Sequence, residues 1–149
     1  MADIVTPAVR SRMMAGIRSK DTRPEMAVRR VMHGRGYRYR LHAKDLPGKP
    51  DLVFPRFHSV IFIHGCFWHG HSCRLFKLPR TRSDFWRAKI EGNQANDIKA
   101  VTALHAAGWR VAVVWECALK GKKEEGVATV ADALERWLAG DAPATEIVG

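Results

Sequence analysis

The chain has 149 residues, 46% hydrophobic and 27% charged, which is enough for the core of one domain, and its five Trp, six Phe and two Tyr exclude a disordered polyelectrolyte. No apolar run approaches the roughly 18 residues of a membrane span, and the N-terminus lacks the apolar core of a signal peptide, so we expect a cytoplasmic protein without a membrane partner. The net charge of +10 is uneven, because residues 1–90 carry +13 and residues 91–149 carry −3; this predicts a face that meets a polyanion, unless the arginines serve only solubility.

Two helices are predicted before the first strand. Thr6 and Pro7 are typical of a helix start, but the short helix that follows has few apolar residues and would pack poorly in a core. Thr22 and Glu25 have the spacing of a capping box and begin a second helix with an apolar face, which ends near Gly34.

The remaining elements alternate between strands and helices. Alternating residues over 37–42 predict a half-buried strand, and apolar runs over 51–54 and 59–63 predict two more. Residues 64–82 are predicted to form a functional loop, because they concentrate His, Cys, aromatic and basic side chains without periodicity.

The C-terminal part of the chain is predicted to add a helix, a strand and a last helix. Ser83 is a candidate cap for a long helix to about Ala107, and residues 109–115 read as an apolar strand. An amphipathic helix is predicted from about Glu124 to Leu138, followed by a frayed tail over 140–149.

The cysteines favour a metal site over disulfides, because their number is odd. Cys66, His71, Cys73 and Cys117 would supply a Cys₃His set for tetrahedral zinc, the alternative being idle thiols with surface histidines. His69 lies between these residues, where it would either compete with His71 or stay free as a general base or phosphate contact.

A carboxylate and a histidine stand at the ends of two neighbouring predicted strands. Asp51 can offer Mg²⁺ an oxygen ligand, while Ile63 offers only its backbone carbonyl and His64 suits proton transfer or phosphate contact. On spacing alone, Asp51 is as compatible with a turn, and Glu25 is either a helix cap or a group that reaches a metal-bound water.

Aromatic side chains among basic ones predict contacts to nucleic acid. Phe67 and Trp68 lie in the loop, where burial is hard to arrange, and are predicted to stack on or wedge between bases. Phe85 is predicted to be a core contact of its helix. For Trp86, a core contact and a contact to nucleic acid both remain open. Met14 would enter a groove only if the first helix reaches the DNA.

Four segments together carry a resemblance to a known family: Arg12–Met14, Ser19–Glu25, Gly48–Asp51 and Phe62–Cys73. In these segments the sequence closely resembles the very-short-patch repair (Vsr) DNA mismatch endonucleases, and the resemblance runs from about residue 9 to residue 138. It implies magnesium-dependent cleavage of one strand, 5′ of the thymine in a T·G mismatch left by deamination of 5-methylcytosine.

The resemblance also implies a fold. This is an α/β restriction-endonuclease-like core of the PD-(D/E)xK type, a central mixed sheet flanked by helices, with Phe62-Ile63-His64 in place of the acidic ExK element. Residues 21–139 would form the single nuclease domain, between a DNA-contacting arm over 1–20 and the tail over 140–149. The expected partner is double-stranded DNA in the bacterial nucleoid, bound by a monomer, with other mismatch-repair proteins as further candidates.

Roles for single residues follow from the same resemblance. Asp51 and the Ile63 carbonyl would bind Mg²⁺, His69 would be the base for the attacking water, and His64 and Glu25 would assist. The structural zinc ligands match Cys66, His71, Cys73 and Cys117, and the aromatic side chains that enter the DNA match Phe67, Trp68 and Trp86, with Met14 approaching from the opposite groove. Ile63 departs from the pattern, because the best-known member has a polar Thr there.

Two other functions fit the residues without the resemblance. One is a related magnesium-dependent nuclease of restriction type that acts on fully paired DNA. The other is a zinc-stapled DNA-binding module without catalysis, which would leave Asp51 and His69 without a role.

Overall fold

A computed structural model describes residues 22–120 and 123–149. The elements in chain order are α1 (Arg23–Gly34), β1 (Arg40–Leu41), β2 (Leu52–Phe54), a 3-10 turn (Pro55–Phe57), β3 (Ser59–His64), α2 (Ser83–Ala106), β4 (Arg110–Trp115), α3 (Glu116–Leu119), α4 (Lys123–Ala139) and β5 (Ala144–Ile147). The predicted first helix, the arm over 1–20 and Met14 lie outside the described residues. Within those two ranges, no helix is both long and apolar enough to cross a membrane.

The strands form one mixed sheet in the order β1-β2-β3-β4-β5. The pairs β1–β2 and β2–β3 are antiparallel, whereas β3–β4 and β4–β5 are parallel. The prediction of an α/β fold with a central mixed sheet flanked by helices is confirmed.

Three local predictions need correction. The tail over 140–149 does not fray, because residues 144–147 pair with β4 as strand β5. The predicted strand over 37–42 shrinks to the two residues of β1, since only these pair with β2. Ser83 is the first residue of α2 and not its cap; Arg82 takes the cap position, with no side-chain hydrogen bond.

Apolar side chains on the two faces of the sheet form two separate cores. On one face, Ile61 and Val114 pack with residues of α1 and α4 such as Met32 and Leu134. On the other face, Val60 and Phe62 pack with α2 residues such as Leu104. Because side chains alternate along a strand, β3 buries residues in both cores. This two-sided burial explains why its sequence is apolar throughout.

The strand directions bring the chemistry-bearing residues to one edge of the sheet. In the parallel pair β3–β4, His64 lies opposite Trp115, so both strands end at that edge. Strand β2 runs the other way and starts there, which puts Asp51 beside the end of β3. The loop after β3 and Cys117 after β4 therefore meet near Asp51.

A tight turn fixes the approach to Asp51. Gly48 has φ +73°, a left-handed conformation that favours glycine, and a Cβ there would lie 2.5 Å from the Cβ of Ala100. The turn therefore packs directly on α2, and we expect any side chain at position 48 to displace it.

Candidate active site

Asp51 is anchored to the neighbouring strand through its side chain. Its Oδ2 accepts a hydrogen bond of 2.7 Å from the backbone N–H of Ile63. The pKa of Asp51 is raised to about 7, mainly by burial and also by the nearby Glu25, although the Ile63 N–H and the charge of His42 lower it. The raised pKa shows that these two groups compensate the buried carboxylate only in part, and a bound cation would add to them.

Glu25 takes part in the helix cap through its backbone, while its side chain faces the site. Its N–H donates to Oγ1 of Thr22 at 3.4 Å, which confirms the predicted start of the helix. Its carboxylate is 1% exposed and lies 2.7 Å from Nε2 of His42 and 3.3 Å from Nη1 of Arg29. Potential ligand atoms of Glu25, His42 and Asp51 all lie within 4.8 Å of one another.

Two histidines and an aspartate form a second cluster beside Asp51. The ring of His69 stacks on that of His64 with centroids 3.8 Å apart, and Nδ1 of His69 lies 2.5 Å from Oδ2 of Asp97. Because a carboxylate only accepts, Nδ1 carries the proton and Nε2 is the nitrogen that can take one up. Burial, with a smaller effect of His69, lowers the pKa of His64 to about 4, so His64 is neutral at pH 7.

One cavity joins the two clusters. Its volume is about 560 Å³, and its lining includes Asp51, His64, His69 and Asp97. Lys49 lines the same space, at the basic end of the turn that precedes Asp51. The arrangement places a candidate cation ligand and a candidate proton acceptor around one volume open to a substrate.

The four predicted zinc ligands converge. Ligand atoms of Cys66, His71, Cys73 and Cys117 lie within 4.8 Å of one another. Zn²⁺ with Zn–S bonds of about 2.3 Å separates tetrahedral ligand atoms by roughly 3.7 Å, so this donor set fits zinc. Burial raises the pKa of the Cys66 thiol to about 12, and a bound cation would reverse that shift by stabilising the thiolate.

Backbone N–H groups and an aromatic ring surround this cluster. The N–H of Cys117 donates to Sγ of Cys66, and the N–H of Gly149 donates to Sγ of Cys117, each at 3.3 Å. His71 stacks on Trp115 with centroids 4.2 Å apart, and the Trp115 indole N–H donates to Glu146 of β5. The C-terminal segment thus contacts the cluster, directly through Gly149 and through Trp115 from Glu146, although the sequence predicted a frayed tail.

The loop aromatics pack on one another. Phe67, Trp68 and Trp86 have ring centroids 5.2 to 5.7 Å apart and are each half-buried. Phe85 is 46% exposed beneath the guanidinium of Arg82, so its prediction as a core contact is wrong. It lies in the first turn of α2, where its ring also contacts that of Trp86 at 5.2 Å between centroids.

Comparison with known proteins shows to which family the chain belongs. The profile of the family "DNA mismatch endonuclease Vsr" matches residues 2–75. The DNA mismatch endonuclease Vsr of Escherichia coli K12 is 41% identical over 147 residues, which cover 99% of this chain and 94% of that protein. This chain belongs to the Vsr family of DNA mismatch endonucleases. The resemblance inferred from the motifs is therefore confirmed, and the protein is a DNA endonuclease.

Other Vsr relatives are named as nicking enzymes. The type II nicking enzyme V.XorIIP of Xanthomonas oryzae pv. oryzae is 57% identical over 119 residues, 80% of this chain and 88% of that protein. V.NmeAIP of Neisseria meningitidis is 48% identical over 122 residues, 82% and 87% of the two chains. The match to Vsr proteins thus extends well beyond the loop of His and Cys residues.

Asp97 and His42 are the site residues that sequence reasoning missed. Asp97 lies on α2, 28 positions from His69. The sequence does not reveal this pair, because the rest of the loop and the first half of α2 separate the two residues. A weak signal existed, because polar Asn93 and Gln94 share that stretch of α2 and donate to the Trp68 and His69 carbonyls. The sequence pattern predicts His42 only as a polar residue at the end of the strand over 37–42.

Proposed function

We propose that this Vsr-family chain nicks one DNA strand on the 5′ side of the thymine in a T·G mismatch and so starts very short patch repair. The observation that carries the proposal is the His69–Asp97 pair, held across one cavity from Asp51. The +13 charge of residues 1–90, which contain Asp51 and His69, is suited to a duplex substrate.

We further propose a restriction-endonuclease-like core of the PD-(D/E)xK type. Asp51 immediately precedes β2 and Phe62-Ile63-His64 end the antiparallel strand β3, so the two halves of the motif are neighbours. In this arrangement His64 takes the place of the second acidic group, and its depressed pKa suits a neutral contact to phosphate.

Magnesium is the proposed catalytic cofactor. Asp51 and the Ile63 carbonyl would hold it, and oxygen ligands that include a buried carboxylate with a raised pKa suit a hard divalent cation. When bound, Mg²⁺ polarises a phosphodiester and stabilises the departing oxygen. Glu25 would orient water near Asp51, since its buried carboxylate is directed into the same cluster.

His69 is proposed as the general base. The Asp97 carboxylate fixes the Nδ1–H tautomer, stabilises the imidazolium that forms, and leaves Nε2 to accept the proton of the attacking water. Stacking on neutral His64 restricts rotation of the His69 ring.

Zinc and the aromatic cluster have proposed structural and recognition roles. Cys66, His71, Cys73 and Cys117 would bind Zn²⁺ and so fix the loop that carries Phe67, Trp68 and His69. Opening a duplex costs a few kcal/mol and is easiest at a weakened pair, so an aromatic wedge of Phe67, Trp68 and Trp86 would favour a mismatch. Met14 is proposed to approach from the other groove.

A strand-specific nicking assay tests the proposal. One duplex is labelled on each strand in turn and carries T·G or C·G at the same position, with and without Mg²⁺. We expect a cut only in the T strand of the T·G duplex and only with Mg²⁺. Equal cutting of both duplexes would instead support a restriction-type nuclease, and tight binding without a cut would support a DNA-binding module.

A further inference from the structure

Among the residues that line the cavity with Asp51, His42 and Lys49 both have a left-handed backbone, and His42 is the one that contacts a buried carboxylate. His42 has φ +47°, a left-handed conformation that residues other than glycine adopt uncommonly. Its N–H donates to the carbonyl of Asp51 at 3.1 Å, which fixes the residue opposite the start of β2. His42 also lines the cavity, so this turn places its imidazole beside the candidate site.

The imidazole of His42 reaches from the sheet to helix α1. Its Nε2 lies 2.7 Å from Oε2 of Glu25, a carboxylate that is 1% exposed. Arg29 contacts the same oxygen at 3.3 Å from one turn further along α1, so this ion pair holds the carboxylate against its own helix. The contact with His42 holds it instead toward the sheet, where Asp51 lies.

The consequence concerns two carboxylates that would otherwise repel each other. Ligand atoms of Glu25, His42 and Asp51 converge within 4.8 Å, although like charges at this distance disfavour each other's ionised forms. A hydrogen bond from His42 offsets part of the cost of burying Glu25 in this position. Without that bond, the Glu25 side chain has less reason to stay beside Asp51.

We propose that His42 is a positioning residue that holds the Glu25 carboxylate beside Asp51, so that both carboxylates contribute to binding of the divalent cation. This inference rests on the proposed function, because it assumes that Asp51 binds the cation. His42 acts through Glu25, and no direct bond from His42 to the cation is required.

Two amide variants of His42 separate the effect of side-chain length from the effect of the left-handed backbone. His42→Gln extends as far as the histidine Nε2 and can still donate to Glu25. His42→Asn tolerates the left-handed backbone but is one methylene too short. His33→Asn is the matched control, because His33 is exposed on the last turn of α1.

Binding of Mn²⁺ by the zinc-loaded protein is followed by electron paramagnetic resonance, with melting temperatures measured in parallel. We expect His42→Asn to weaken Mn²⁺ about tenfold, as loss of an outer-shell partner does, and His42→Gln to stay within about threefold of the wild type. His33→Asn should be unchanged. The Mg²⁺ concentration for half-maximal nicking should follow the same order.

The outcomes separate this inference from the proposed function. If Asp51→Asn abolishes Mn²⁺ binding but His42→Asn leaves it unchanged, the role of His42 is overturned and the function stands. Equal losses in His42→Asn and His42→Gln would also overturn it. If the wild type binds no Mn²⁺, or Asp51→Asn binds it normally, the metal site of the proposed function is overturned together with the inference.

Discussion

The cysteine cluster and the Asp51 cluster lie at the same edge of the sheet but are stabilised in different ways. Cys66 and Cys117 are buried, and backbone N–H groups from α3 and the C-terminus donate to their sulfurs. Around Asp51, two carboxylates lie near each other beside an open cavity, and the pKa of Asp51 is raised.

The difference separates a site built for stability from one built for chemistry. In the first, backbone groups of the chain itself orient the sulfur atoms, so that a metal ion would complete a packed region. In the second, two carboxylates lie close together and repel each other unless a cation binds, which costs stability beside the cavity. Substitutions in one of these two regions should therefore leave the properties of the other region unchanged.

Asp51→Asn should give the largest effect. We expect nicking to fall about 1,000-fold, since the amide loses the negative charge for Mg²⁺ but can still accept from Ile63 through its oxygen. Strand-labelled nicking kinetics measure the loss, and mismatch binding and zinc content should stay unchanged. Retained Mg²⁺-dependent nicking would refute the role of Asp51.

Asp97→Asn should have the next largest effect. We expect kcat to fall about 100-fold, because an amide neither stabilises the imidazolium nor fixes the Nδ1–H tautomer of His69. Asp84→Asn on the same helix is the control, since its side chain is fully exposed. An equal loss in both variants would point to α2 as a whole and not to the pair.

Cys66→Ser should affect the other region. We expect zinc content to fall about tenfold and the melting temperature by about 10 °C, as a loss of about 3 kcal/mol would give in a domain of this size. Atomic absorption and thermal unfolding measure the two quantities, with the neighbouring exposed Ser72→Ala as control. Wild-type zinc content in Cys66→Ser would contradict the assignment.

Glu146→Ala should loosen the same region without removing a ligand. Loss of the acceptor for the Trp115 indole frees the ring that stacks on His71, so we expect zinc release to a chelator to quicken, by less than about tenfold. Glu91→Ala, exposed on α2, is the control. If the release rate stays unchanged, β5 does not support the zinc ligands.

The pH dependence of stability should be the smallest effect. Folding raises the pKa of Asp51 from its usual value near 3.8 to about 7, so the folded chain keeps a proton that the unfolded chain loses in this window. Without added Mg²⁺, stability should therefore fall as pH rises from 4 to 7 and level off above that. We expect Asp51→Asn to melt about 5 °C above the wild type at pH 8 and to match it near pH 4. Equal melting temperatures at pH 8 would contradict the shift.

Local patterns predicted much of this fold. The Thr22 cap, the apolar run of β3 and the long α2 follow from capping chemistry and periodicity, which act within a few residues. The sequence does not predict strand β5 because two of its four residues are exposed, none is buried, and the strand pairs with β4. Edge strands of this kind carry a weak apolar signal.

The sequence by itself determined the type of chemistry: clustered Cys and His residues, an aspartate at a strand start and an excess of basic residues indicate a DNA enzyme with candidate metal sites. Tertiary structure alone decided the partners, namely Asp97 for His69, His42 for Glu25 and Gly149 for Cys117. These pairs are 17 or more positions apart, and their contacts depend on strand direction and helix packing. The spacing of residues along the chain specifies neither the direction of the strands nor the packing of the helices.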